Sequence, residues 1–487
     1  MEKESIVKSY RKNKYRFDDA CNDVFEVASL EDLTPKALLD FIRLHADVQR
    51  PRLDELDDYY EVKNPTIFKR KDREAHLSDV RLAHGYARYI SSFIQGYLVG
   101  TPIKVQHSDK RINDAVQEVN KQTGADKLNA VITLDLSIYG RAYDMTYRSS
   151  QDKDRVVRLD PLQTFVIYDD TVEVRPIAGV RYKENKEGKL AVEVYTDRHV
   201  IYYAEGATDL IEVKREDHFF QEVPITEYSN NRFRQGDFEP ILDLIDAYDA
   251  AESDTANYMT DINDAMLVIS GDVAIDTEKA QKMKQHNLLL LIPAKDLDGT
   301  PGLTPTAGYI YKQYDVAGVE AYKNRLQNDI HRFTNTPDMN DEKFSGNASG
   351  ESMKYKLFGL DQVRADKETM MIEGLTRRYR LLFNLKSTAQ ELTGASADDL
   401  EFIFTPNIPR AFYAELEAFT KAGGELSQET LLTLTALVDD AREEMEKIEK
   451  ETAARTPTRV PQDPGEDPLM NQGGDENADE TGTVLGR

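Results

Sequence analysis

From Glu351 to about Leu392 the residues read as one helical pattern, and a continuous helix of that length reaches roughly 60 Å at 1.5 Å per residue. A helix this long is unusual as the core element of a globular domain, so the rest of the chain has to be organised around a rod. Gly359 and Gly374 are the expected bend points. The rod is preceded by KFSGNASGESMKYKLFGLDQ, Lys343 to Gln362, in which Gly346 and Gly350 lie among small polar residues. Glycine frees the backbone at little steric cost, and Ser349 or Ser352 is placed to cap the helix by accepting a bond from its free N–H groups. A phosphate-cradling loop needs Lys and then Ser or Thr directly after its second glycine, but Glu351 and Ser352 follow Gly350, and the carboxylate repels phosphate. The stretch reads as a mobile loop joined to a rigid rod.

The rest of the chain divides by hydrophobic period. Leu38, Leu39, Ile42, Leu53 and Leu56 predict helix between Thr34 and Tyr60, with Pro35 in a first turn and Pro51 as a break. Further helices are predicted over Ser78 to Gly96, Arg111 to Thr123 and Leu128 to Tyr139, with GYLVGTPIKVQ extended after the first of them. From Arg155 the period shortens, and RVVRLD, TFVIYDD, IAGVRYKE, LAVEVYTD and HVIYYAEG predict antiparallel strands and hairpins. The first half is therefore an α+β domain. After the polar junction Asn230 to Gly236, Asp237 caps a predicted helix reaching Met266, with an apolar stripe from Phe238, Ile241, Leu242 and Ile245 to Met259, Ile262 and Met266. Asp243, Asp249, Asp254, Asp261 and Asp264 form its acidic face, read as solvated. A mixed segment follows, and then a second rod from Asp315 to Thr334 with Val316, Val319, Tyr322, Leu326, Ile330 and Phe333 on one stripe. LSQETLLTLTALVDDAREEMEKIEKETA predicts two more helices, and the Pro/Gly/Asp/Glu-rich tail from Thr456 has too few apolar residues to fold.

Charge excludes one simple class. The net charge is −26, whereas a high-affinity DNA binder has to be basic enough to replace the counterions of the phosphates. The single cysteine, Cys21, rules out an internal disulfide and a thiolate metal cluster. MEKESIVKSYRKNKYRF lacks the apolar core of a secretion signal, and the longest apolar run, Leu288 to Ile292, is far below membrane-spanning length. KDLDGTP at Lys295 to Pro301 imitates the Asp-x-Asp-Gly-Thr signature of haloacid-dehalogenase-like phosphohydrolases, with Asp296 as nucleophile and Asp298 as acid/base. That chemistry needs the first Asp at the end of a buried strand in a doubly wound sheet. Here Pro293, Ala294 and Lys295 intervene and no alternating βα pattern follows, so a turn is the better reading. None of the eight histidines pairs at i and i+4 around a glutamate, which leaves zinc chemistry unsupported. No cofactor or metal is expected.

Taken in order, FIQGYLVGTPIKV, VPITEYSNN with GDFEPILDLIDAYD, FSGNASGESMKYKLFGL and LSQETLLTLTALVDDAREEMEKIEKE resemble the portal proteins of long-tailed phages (siphoviruses) of Gram-positive bacteria. The resemblance implies an α+β ring subunit. Residues 1–236 would be the wing, 237–266 and 315–334 the two stem helices, and 267–314 a small α/β clip. Residues 335–350 would be a tunnel loop built on Lys343, Phe344, Ser345, Gly346, Asn347, Ala348, Ser349 and Gly350. Residues 351–393 would form the kinked helix behind it, 394–455 a returning strand and helical crown, and 456–487 a disordered tail.

The same resemblance implies a ring, of twelve subunits by family likeness, at one vertex of the virion capsid, assembled in the host cytoplasm with no membrane. Double-stranded DNA would pass through it without sequence preference, touching Lys343, Lys354 and Lys356. The implied protein partners are the terminase large subunit, head-completion or adaptor proteins, and the major capsid and scaffolding proteins. Under this reading the acidic stem face lets DNA slide, because carboxylates repel phosphates. The alternatives are a phosphohydrolase centred on Asp296 and Asp298, or a coiled-coil adaptor, which leaves the strand-rich half without a role.

Overall fold

The computed structural model describes residues 16–261, 266–270, 306–310, 315–339, 357–407, 427–435 and 441–455, apart from positions 18, 76 and 187, together with positions 278, 281, 282 and 421. The chain divides into two units, Met1–Pro409 and Arg410–Arg487. The larger begins with strand β1 (Phe25–Val27) and helix α1 (Pro35–Leu44), whose Thr34 cap accepts a bond from the Ala37 amide at 3.2 Å. Pro51 does not break the helix that follows. A π-type turn at His45–Gln49 carries the backbone directly into α2 (Arg50–Tyr60), and Pro51 sits in that helix's first turn, where its missing N–H is least costly.

After the short α3 (Pro65–Phe68), the helix predicted to start at Ser78 starts instead at Tyr86 and ends at Val99, as α4. Residues 78–84 are non-helical, and Gly96 to Val99, expected to be extended, are the end of α4. Only Lys104–Gln106 of that stretch is a strand, β2. Helices α5 (Lys110–Thr123) and α6 (Ala125–Tyr139) fall where the periodicity placed them, joined by Gly124 in the left-handed conformation at φ +66°.

The strands make two principal sheets. β3 (Arg141–Arg148), β4 (Asp154–Leu159), β5 (Thr164–Asp169), β6 (Pro176–Glu184), β7 (Leu190–Tyr195), β8 (His199–Glu205), β9 (Leu210–Asp217) and β10 (Ile225–Ser229) follow in chain order. One sheet runs β1-β5-β6-β7-β8-β9, antiparallel except for the parallel β1–β5 pair, and the other runs β10-β3-β4. Register places Phe165 opposite Val180, Val180 opposite Val194 and Val194 opposite Ile201. All four are buried in one cluster with Leu38, Leu39 and Ile42 of α1.

Helix α7 spans Leu242–Asp261, β11 is Met266–Ser270, β12 is Thr306–Ile310, and helix α8 spans Val316–Phe333. Met266 therefore belongs to a strand paired with β12 and not to the end of a helical stripe. Helix α9, Phe358–Thr388, runs through both Gly359 and Gly374 without interruption. These glycines mark close approaches. A Cβ at Gly359 would lie 2.6 Å from Asn335 Oδ1, and one at Gly374 would lie 2.2 Å from the Tyr228 ring. The core of this unit joins Ile132 and Leu136 of α6 to Met371, Leu375 and Leu382 of α9. β13 (Glu401–Ile403) returns to pair with β2. In the smaller unit the two predicted helices are present as α10 (Gln428–Thr435) and α11 (Ala441–Arg455).

Candidate functional site

Helices α7 and α8 pack against each other, with Leu326 and Ile330 of α8 buried and Lys323 Nζ 3.2 Å from Glu252. The other buried edge of α7 carries a polar ladder. Asn257 Oδ1 accepts from the Val80 amide at 2.6 Å, Ser253 Oγ from Leu82 at 2.9 Å, and Asp249 Oδ1 from His84 at 3.0 Å. Three side chains spaced by four along a helix span about 12 Å, and alternate residues of a five-residue extended segment span about 13 Å. The two repeats match, so a helix face holds an extended strand running the opposite way. This competition takes residues 80–84 out of the predicted helix.

Asp249 is thus no part of a solvated acidic face. It is 0% exposed, and Asn64 Nδ2 reaches its second oxygen at 2.7 Å while the His84 ring lies 2.8 Å from the first. That hydrogen bond raises the imidazole pKa, against the opposing effect of burial. Of the other four carboxylates, Asp243 and Asp254 are exposed, Asp261 is the last residue of α7, and Asp264 lies outside the described residues.

Residues 340–356 lie outside the described residues, and with them Lys343, Phe344, Ser345, Gly346, Asn347, Ala348, Ser349, Gly350, Lys354 and Lys356. So do Asp296, Asp298 and the tail from Thr456. The residues on either side of the 340–356 segment are described, and they approach each other. Gly359 approaches Asn335 as noted, and both ends are tied to α4: Tyr89 Oη donates to the Pro337 carbonyl at 2.6 Å, and Tyr97 Oη donates to Asp361 at 2.8 Å. Asn335 takes φ +55°, a conformation asparagine tolerates. The His331 ring packs between Tyr86 and Tyr89 and lies 3.2 Å from the Thr336 carbonyl. The described residues on either side of 340–356 therefore share one fixed site against α4.

Behind this site α9 is locked by charge. Arg378 Nε donates to Asp144 Oδ2 at 2.6 Å and Nη1 to Asn129 at 2.7 Å, while Tyr228 Oη reaches the same Asp144 oxygen at 2.8 Å. Arg378 and Asp144 are both buried. Lys367 meets Asp237 at 2.7 Å, Lys386 meets Asp154 at 2.8 Å, and Arg377 meets Glu222 at 2.9 Å. A cleft of about 910 Å³ beside α9 is lined by Tyr168, Arg175, Glu227, Glu373 and Arg377 among others. Sequence reading missed these partners because nothing local marks them: Arg378 and Asp144 stand 234 positions apart.

A six-stranded and a three-stranded sheet, a pair of packed helices and the long helix α9 define an α+β protein built around a helical scaffold. The chain belongs to the phage portal protein family, SPP1 Gp6-like, whose model matches residues 39–458. This is a family of structural rather than catalytic proteins. The portal protein of Bacillus phage SPP1 is 23% identical over 402 residues, 76% of each chain. That of Clostridium phage phiCD119 is 23% identical over 436 residues, 82% of this chain and 92% of the relative. Among solved structures, the neck of an empty gene transfer agent particle is 12% identical, with a TM-score of 0.43, covering 73% of this chain and 91% of that one.

Proposed function

We propose that this chain is the portal subunit of a long-tailed phage. It forms a ring at one capsid vertex of the virion, through which double-stranded DNA is packaged, retained and ejected. The ring has no catalytic site of its own, and the energy for translocation comes from a separate terminase ATPase. Residues 1–236 serve as wing, α7 and α8 as stem, the segment between them as the clip that docks the motor and later the head-completion proteins, and the C-terminal helices as crown. The reading rests on family membership across residues 39–458. The shared base at Asn335 and Gly359 supports a loop that projects from a rigid body, as a DNA-contacting tunnel loop must. Lys343, Lys354 and Lys356 supply its cations. The acidic face expected to repel DNA shrinks to Asp243 and Asp254 among the described side chains, and each has a guanidinium nearby, from Arg16 at 3.3 Å and Arg70 at 3.7 Å.

The test deletes Gly346 to Gly350. Rings should still assemble, because both anchors of the loop base lie outside the deletion, while genome packaging or retention drops. Replacing Gly346 and Gly350 with proline should act in the same direction by fixing the backbone. Full-length packaging by rings carrying the deletion refutes a tunnel role for the loop.

A further inference from the structure

The outward faces of the two packed helices differ in shape and charge. On α7, Asp243, Ala247, Ala250, Ala251 and Asp254 lie along one side, forming a smooth stripe with a carboxylate at each end. Asp243 is 90% and Asp254 74% exposed, in spite of their guanidinium neighbours. On α8, Tyr322, Arg325, Asp329, Arg332 and Phe333 lie along one side and form a bulky stripe with a net positive charge, Arg325 lying 3.8 Å from Asp329. Tyr322 is 50% exposed, Phe333 61% and the Arg325 side chain 82%. Large aromatic side chains left in water on a helix whose opposite face is already packed indicate an unfilled contact. The two stripes have the same length, because Asp243 and Asp254, like Tyr322 and Phe333, stand eleven positions apart, about three helical turns.

We infer that the aromatic and basic stripe of α8 docks onto the alanine-lined, acidic stripe of α7 in a neighbouring copy of this chain. The occupant is a second copy because the two complementary surfaces lie on different faces of one subunit, which makes the contact head-to-tail and able to close into a ring. Alanines 247, 250 and 251 leave room for the Tyr322 and Phe333 rings, and Arg325 and Arg332 approach Asp243 and Asp254. The inference rests on the portal reading, which requires a ring, and adds which faces meet.

The experiment compares full-length wild type with R325E/R332E, with D243K/D254K and with the chain carrying all four changes, by sedimentation and native mass measurement at equal concentration. Circular dichroism checks the fold, which should be unaffected because the altered side chains are exposed. Each double variant should lose at least about tenfold in assembled fraction, and the fourfold variant should recover most of it, since reversing both partners restores attraction. Double variants that assemble as wild type does overturn the inference and leave the ring reading intact, as does failure of the fourfold variant to recover. A wild type that stays monomeric at all concentrations and salt levels overturns the ring reading and the inference with it.

Discussion

Helix α9 and the outer faces of α7 and α8 all carry charged side chains, yet they are at different stages of completion. Along α9, Lys367, Arg377, Arg378 and Lys386 each find a carboxylate inside the same subunit at 2.6 to 2.9 Å. On the outer stripes, Asp243, Asp254 and Arg325 also have oppositely charged neighbours in the same subunit, at 3.3, 3.7 and 3.8 Å, but they remain largely in water. Buried ion pairs tolerate no missing partner, because desolvation of the survivor is then uncompensated, whereas exposed ones contribute little until a second surface excludes water. Helix α9 is thus finished in one chain. The helix pair is finished only on its inner side.

That difference sets the order of effects. The largest belongs to Arg378→Ala, which leaves Asp144 buried without its cation and opens space against the Tyr228 ring, 5.3 Å from the guanidinium. We expect a loss of about 3–5 kcal/mol, seen as a fall in the urea midpoint that does not depend on subunit concentration. A midpoint within error of wild type would mean that the α9 lock is unimportant and that the comparison fails.

Gly374→Ala comes next. The added Cβ would stand 2.2 Å from a Tyr228 ring carbon, and Tyr228 is itself held by Asp144, so the ring cannot easily swing away. A cost of about 1–3 kcal/mol is expected, again independent of concentration. Replacing Tyr228 with a smaller residue in the Gly374→Ala background should relieve part of it, and the absence of any relief would place the strain elsewhere.

How much of this was legible follows from where each constraint lies. Helices α5 and α6 and strands β4 to β8 show in the sequence because their periodicity matches their burial. β3 was missed because its first four residues are buried on both faces, which erases the alternation that marks a half-exposed strand. Residues 80–84 carry helical spacing and yet lie extended, because Asn257, Ser253 and Asp249 supply backbone partners that a local reading cannot see. Asp249 was grouped with Asp243 and Asp254, although 3.6-residue periodicity turns it about 120° to 140° away from both, onto the buried edge where His84 and Asn64 meet it. The loop expected from Gly346 and Gly350 lies outside the described residues. The bonds from Tyr89 and Tyr97 to the residues flanking it were not legible, because a tyrosine on an apolar helix face usually reads as core.

The smallest effect tests whether the inner face of α7 behaves as the finished half. His84 is held by the Asp249 carboxylate, with Glu252 also favouring its protonated form and Lys323 and burial opposing it, and the net result is a raised pKa. A group that binds its proton more tightly when folded stabilises the fold fully below its ordinary value, near 6.5, and loses that contribution as pH rises through the folded value. Wild type should therefore lose a little stability as pH rises above the ordinary histidine value, and His84→Gln should remove that part of the slope. The imidazole is 37% exposed, so solvent screening keeps the effect small. The difference in urea midpoint between the two proteins isolates it from the other histidines. Because the contact lies wholly within one subunit, the difference should be the same at low and high protein concentration. A slope of opposite sign, or one that grows as rings assemble, would mean that the ladder of Asp249, Ser253 and Asn257 also responds to a neighbouring copy, and the division between a finished inner face and an unfinished outer one would have to be redrawn.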